Sequence, residues 1–108
     1  MKISAPELIE LAEKILAAAG AAPADAGLVA ANLVESNRVG HDSHGVMRIP
    51  RYVKAIRAGD IDVTTRPTTV KDGTVTTVID AGWGFGQVAA TTAMERTIEK
   101  ALAHGVAC

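Results

Sequence analysis

The sequence predicts an α+β fold with helices over residues 4–59, a β-hairpin over 68–80 and a long helix over 87–104. Three observations carry this. Apolar residues recur at helical spacing through the first half of the chain. After Gly59 the period changes to short runs of Thr, Val and Ile around Asp72-Gly73. From Gln87 the helical period returns and runs to Gly105. At 108 residues the chain is one domain's worth, able to bury roughly two-thirds of its surface.

The first helix has a clear start, because Ser4 and Glu7 form a capping-box pattern. Leu8, Leu11, Ala12, Ile15, Leu16 and Ala19 supply its apolar stripe, and Gly20 ends it. Pro23 opens the second helix, with Asp25 near the positive end of its dipole. Val29, Ala30, Leu33 and Val34 form the buried face, and Gly40 is a left-handed stop. The third helix starts between Met47 and Pro50 and runs to Ala58, with Gly59 as its cap. Residues His41 to Val46 are then expected to be mostly irregular, with Arg48 at the loop–helix junction and Arg51 about one turn later.

In the second half, Asp72-Gly73 signals a tight hairpin whose two turn residues need positive φ. Val75, Thr77 and Ile79 should face one side of it, and Thr76, Val78 and Asp80 the other. Ala90, Met94, Ile98 and Ala101 read as the buried stripe of the last helix, with Glu95, Arg96, Glu99 and Lys100 solvated. Tyr52 is expected in or near the core, and His104 in a last turn against the negative helix end. Val106-Ala107-Cys108 reads as the opening of a further strand. Domains seldom end on apolar residues entering a strand, so an N-terminal segment of something longer is expected.

Composition narrows the function classes. A formal net charge of −1 offers no attraction to nucleic acid or an anionic membrane surface. Tyr52, Trp83 and Phe85 are the only aromatics of their kind, too few for a base-stacking platform. Cys108 is the lone cysteine, so no intrachain disulfide forms, which suits a reducing, cytoplasmic setting. Neither a signal-peptide core nor a membrane-spanning apolar run is present.

The chemistry-bearing stretch is Gly40-His41-Asp42-Ser43-His44-Gly45, followed by Arg48 and Arg51. It admits a metal site built on His41, Asp42 and His44, although no cysteine or second acidic pair joins them. A Ser-His-Asp triad is a second reading, weakened because sequence neighbours point in different directions. A structural reading has Asp42 and Ser43 capping the following turn while the histidines bond to backbone. The fourth is an anion-recognition loop in which Arg48 grips a carboxylate and Ser43 and His44 contact a neighbouring oxygen. Gly82, Gly84 and Gly86 have G-x-G-x-G rather than dinucleotide-binding spacing, and no parallel βαβ unit is evident around them. They read as tight turning with Trp83 and Phe85 packed inward. The helix start at Gly86-Gln87 could still offer free N–H groups to an anion.

Together, Gly40-His41-Asp42-Ser43-His44-Gly45-Val46-Met47-Arg48-Ile49-Pro50-Arg51-Tyr52, Gly84-Phe85-Gly86-Gln87, Ala93-Met94, Ile98-Glu99-Lys100-Ala101 and His104-Gly105-Val106 resemble the type 2 malate/L-lactate dehydrogenase family. The likeness runs in order along nearly the whole chain, and the H-D-S-H-G-x-x-R segment is its most specific part. It implies part of a larger, non-Rossmann α/β fold and an oxidoreductase using NAD or NADP to interconvert 2-hydroxy and 2-oxo acids. It further implies a homodimer when full length. By position, Ser43, His44 and Arg48 match the active-site loop: Arg48 for the substrate carboxylate, Ser43 and His44 to orient substrate and nicotinamide. His44 and Gly86 are the cofactor candidates, and no metal is implied. The resemblance places the proton-donating histidine and most cofactor contacts beyond Cys108, so these 108 residues alone are expected to be inactive. The alternative is a non-catalytic helical binding or dimerisation module.

Overall fold

The structure is a computed structural model that describes residues 2–108. Among them, the order is α1 (Ala5–Ala18), α2 (Pro23–Arg38), α3 (Ile49–Ala58), β1 (Thr68–Asp72), β2 (Thr77–Asp80) and α4 (Gly86–His104). Two short 3-10 turns, Asp42–His44 and Val46–Arg48, lie between α2 and α3. The α+β expectation holds. The chain forms two compact units, one through Thr64 and the other from Thr65 to Cys108.

The first unit is built by helix-end chemistry. Ser4 caps α1: its hydroxyl accepts from the Glu7 amide, and the Glu7 carboxylate accepts from the Ser4 amide at 3.1 Å. Each side chain thereby satisfies a donor the helix leaves orphaned. Pro23 starts α2, and Ile49-Pro50 starts α3, positions where a missing N–H costs nothing. Helix α1 ends with Gly20 N–H on the Ala17 carbonyl and Ala21 N–H on that of Leu16, and Gly20 has a φ of 112°. The pattern repeats after α2, where Gly40 (φ 81°) bonds Asn37 and His41 bonds Ser36. After α3, Gly59 bonds Ile56 and Asp60 bonds Ala55. All three are paired-bond glycine stops that consume the last free carbonyls.

The core of this unit sits between α1 and α2. Ala12 and Leu16 face Val29, Ala30, Leu33 and Val34, all buried, with Ala26 and Ile49. The predicted face of α2 is therefore the buried one. That of α1 is only half right: Leu11 and Ile15 are exposed, because the small Ala12 and Leu16 make the contact.

In the second unit, β1 and β2 pair antiparallel in a register running from Thr68–Asp80 to Asp72–Thr77, with an irregularity between Thr69 and Lys71. Residues 73–76 close the hairpin, and Gly73 N–H bonds the Thr76 carbonyl at 2.8 Å. The expected two-residue Asp72-Gly73 turn is thus corrected to a four-residue loop, and neither residue takes positive φ. The cause lies in α4. Lys100 Nζ donates to Asp72 Oδ1 at 2.5 Å, to the Gly73 carbonyl and to the Thr76 carbonyl at 3.1 Å. An ammonium inside the loop needs a wider ring of acceptors than a tight turn offers. Lys100 is accordingly not solvated as expected but largely covered, its side chain 17% exposed.

Helix α4 packs on β2, yet among the described residues none of its side chains is buried. The expected stripe is overturned: Met94 and Ile98 are exposed and Ala90 is open, because a two-stranded sheet is too narrow to cover one helix face. Trp83 also departs from expectation, being 83% exposed with a φ of 61°, whereas Phe85 is buried. Gly105 ends α4 with a φ of 82° and a single bond to Ala101. His104 is in the last turn, as read. Residues 106–108 are not a strand, but Cys108 N–H bonds the Val75 carbonyl at 2.7 Å and Thr77 N–H bonds the Cys108 carbonyl at 2.9 Å. That exchange is the parallel type. The chain thus returns beside β2 after α4, a parallel crossover the sequence reading did not find around the glycines.

Candidate active-site loop

The glycine stop of α2 turns the chain directly into His41. Instead of the irregular loop expected, residues 42–44 and 46–48 each close a 3-10 turn. His44 N–H bonds the His41 carbonyl at 2.9 Å, Gly45 N–H bonds Asp42 at 2.9 Å, and Arg48 N–H bonds Gly45 at 3.0 Å. Two short turns form because Gly45 between them adopts extended backbone, which interrupts one helix and begins another.

The loop brings Ser43, His44 and Arg48 together. Ser43 Oγ lies 3.0 Å from His44 Nδ1. Arg48 Nε donates to the Ser43 carbonyl at 2.7 Å. Among the described residues, no hydrogen bond or ion pair occupies the terminal nitrogens of Arg48. The guanidinium is therefore tethered at its inner nitrogen and open at its outer edge. His41 and His44 contact edge to face, with ring centroids 4.7 Å apart. All of His41 to His44 are exposed, while Arg48 is half-buried and Gly45 buried.

Asp42 does not cap a turn, nor do the histidine rings bond backbone. Neither cap residue, His41 nor Gly45, makes a side-chain cap bond, and Asp42 Oδ1 accepts from Asn37 Nδ2 at 2.6 Å. Among the described residues Asp42 makes no hydrogen bond to either histidine, so no Ser-His-Asp triad is assembled. Among the described residues, no group of three or more His, Cys, Asp or Glu side chains is arranged to hold a metal ion. Sequence reasoning missed Asn37. An Asn three residues before the helix-ending Gly40 is a usable signal, but only the fold shows which atoms it reaches.

Gly86 belongs to the other unit, at the start of α4. The cap residue Phe85 makes no side-chain cap bond, and a Cβ on Gly86 would meet nothing within 4 Å. Val88 N–H and Ala89 N–H both bond the Phe85 carbonyl, at 3.1 and 3.2 Å, the first bonds of the helix.

A tethered guanidinium beside a hydroxyl and an imidazole defines a loop suited to a small carboxylate-bearing molecule. Residues 3–108 match the profile of the malate/L-lactate dehydrogenase family, and the chain belongs to it. Hydroxycarboxylate dehydrogenase B of Escherichia coli (strain K12) is 42% identical over 88 residues, covering 82% of this chain and 24% of that protein. L-lactate dehydrogenase of Cupriavidus necator is 40% identical over 106 residues, covering 97% of this chain and 30% of that protein. The solved malate dehydrogenase of Pyrococcus horikoshii OT3 superimposes with a TM-score of 0.93 at 31% identity, over 97% of this chain and 30% of that one. The chain thus spans less than a third of the length of these relatives.

Proposed function

We propose that the chain contributes the carboxylate-binding side of the active site in an NAD- or NADP-dependent 2-hydroxy-acid dehydrogenase. The observation that carries this is the tether from Arg48 Nε to the Ser43 carbonyl. It restrains the guanidinium and leaves one outer edge, formed by its two terminal nitrogens, for a bidentate carboxylate grip. Malate, lactate and hydroxycarboxylate, the substrates in the relatives' names, share that group. Ser43 Oγ and the His44 ring then lie beside the held acid, where donors stabilise charge developing on the carbonyl oxygen. Holding the acid through its carboxylate also orients the neighbouring carbon, which converts a chance encounter into an aligned one.

A bound pyridine nucleotide supplies the hydride. By the family resemblance His44 would stand beside the nicotinamide; Gly86, at the start of α4, is a separate cofactor candidate. The proton donor and the remaining cofactor contacts belong, on this reading, to sequence beyond Cys108. Homodimerisation and a cytoplasmic setting accompany the reading. The second reading, a binding or dimerisation module, is favoured by the exposed Met94, Ile98 and Leu102 along α4.

The test is NAD(P)H oxidation by the complete protein against a panel of 2-oxo acids, including pyruvate and oxaloacetate. Turnover with at least one acid, abolished by Arg48→Ala, supports the dehydrogenase. A protein that associates but reduces none of them supports the module.

A further inference from the structure

Asn37 lies outside the histidine loop in sequence but joins it at several points. It is in the last turn of α2, and its own carbonyl accepts from Gly40 N–H at 3.0 Å. Its side-chain Nδ2 donates to Asp42 Oδ1 at 2.6 Å, reaching the first 3-10 turn. Its Oδ1 accepts from Val46 N–H at 2.9 Å, reaching the second. Only a carboxamide does both jobs with the atoms in these places: the amide N–H faces a carboxylate and the carbonyl faces a backbone donor. Neither turn has a side-chain cap of its own, so this bridge holds the start of the second.

Gly45 completes the arrangement. It separates the two turns and is buried against the same amide. A Cβ there would stand 2.5 Å from Asn37 Nδ2, which no real packing allows. Its φ of −88° is open to any residue, so the demand for glycine at this position is steric.

We propose that Asn37 is a positioning residue that sets the spacing of Ser43–His44 from Arg48, with Gly45 kept bare to admit its side chain. The chain of contacts is short. Asp42 precedes Ser43 and His44, and Val46 begins the turn that ends at Arg48. Releasing Asn37 frees both turns and leaves the Arg48–Ser43 tether alone to hold the guanidinium. The inference rests on the dehydrogenase reading for its consequence, and on geometry alone for the bridge.

Two measurements test it in the complete protein. The first is amide hydrogen exchange at Val46 in Asn37→Ala and in the near-isosteric Asn37→Leu. Exchange at least about tenfold faster in both, with distant α1 amides unchanged, is expected from loss of the acceptor. Unaltered exchange overturns the bridge, whatever the protein's activity. The second is steady-state kinetics with a 2-oxo acid that the unaltered protein reduces. The variants should raise KM for the acid about tenfold. A fall in active enzyme with unchanged KM reduces Asn37 to a merely structural role and overturns the proposal. Gly45→Ala should impair the loop in the natural background and be largely relieved in Asn37→Ala, where the clashing amide is gone. Equal impairment in both backgrounds refutes the steric part. If the unaltered protein reduces no 2-oxo acid, the dehydrogenase reading falls, and the exchange data still decide the bridge.

Discussion

Arg48→Ala separates carboxylate recognition from every other role for the histidine loop. Nε is committed to the Ser43 carbonyl, so the substrate would be held by the two terminal nitrogens. Each hydrogen bond to a charged group contributes about 1.5–3 kcal/mol when well made. Arg48 is half-buried, so solvent weakens the pair, and about 2–4 kcal/mol together is the reasonable sum. At about 1.4 kcal/mol per tenfold, removal should lower kcat/KM by about 30- to 700-fold. Arg48→Lys should recover little, because one ammonium cannot both hold the Ser43 carbonyl and grip a carboxylate through parallel bonds. The assay compares a 2-oxo acid with its uncharged amide in the complete protein. The unaltered protein should prefer the acid strongly, and Arg48→Ala should level the two. A variant that keeps the same acid-to-amide ratio would show that Arg48 never touches the carboxylate, however slow the enzyme had become.

Leu33 is fully buried between the first two helices, and Leu33→Ala should cost about 2–5 kcal/mol in urea denaturation, chiefly as cavity. Asp72 is held below the ordinary carboxylate range, first by the hydrogen bond from Lys100 and then by that from Thr77. A depressed folded value contributes stability that is complete above the unfolded pKa of about 3.9 and fades as pH falls through the folded one. Hydrogen-exchange protection of the Gly73 amide should therefore drop in that acid window, and Lys100→Met should flatten the dependence. The isolated 108-residue chain should oxidise no NAD(P)H with any 2-oxo acid, since it spans about 30% of the length of its dehydrogenase relatives. Turnover by the purified chain would contradict the division of the site proposed above.

Most of the helix boundaries were legible because they rest on chemistry within a few residues. Ser4 with Glu7, Pro23, and the glycines at 20, 40, 59 and 105 act on neighbouring backbone groups, whatever lies further away. The α2 face of Val29, Ala30, Leu33 and Val34 followed from period alone. Residue types likewise marked Ser43, His44 and Arg48 as a group, and their proximity was readable because they lie within one short loop.

Tertiary structure decided what depends on partners remote in sequence. Lys100 arrives from α4 and opens the Asp72-Gly73 turn into a four-residue loop. A two-stranded sheet leaves Met94 and Ile98 uncovered although their spacing is that of a buried stripe. Cys108 pairs with β2 across a gap no periodicity spans. Asn37 belongs to α2 by every local rule, and only the glycine stop that folds the loop back brings its amide to Asp42 and Val46. Local propensity names the groups present in the loop. Which of them hold and which remain open to a substrate is set by long-range hydrogen bonds, whose partners the sequence does not order.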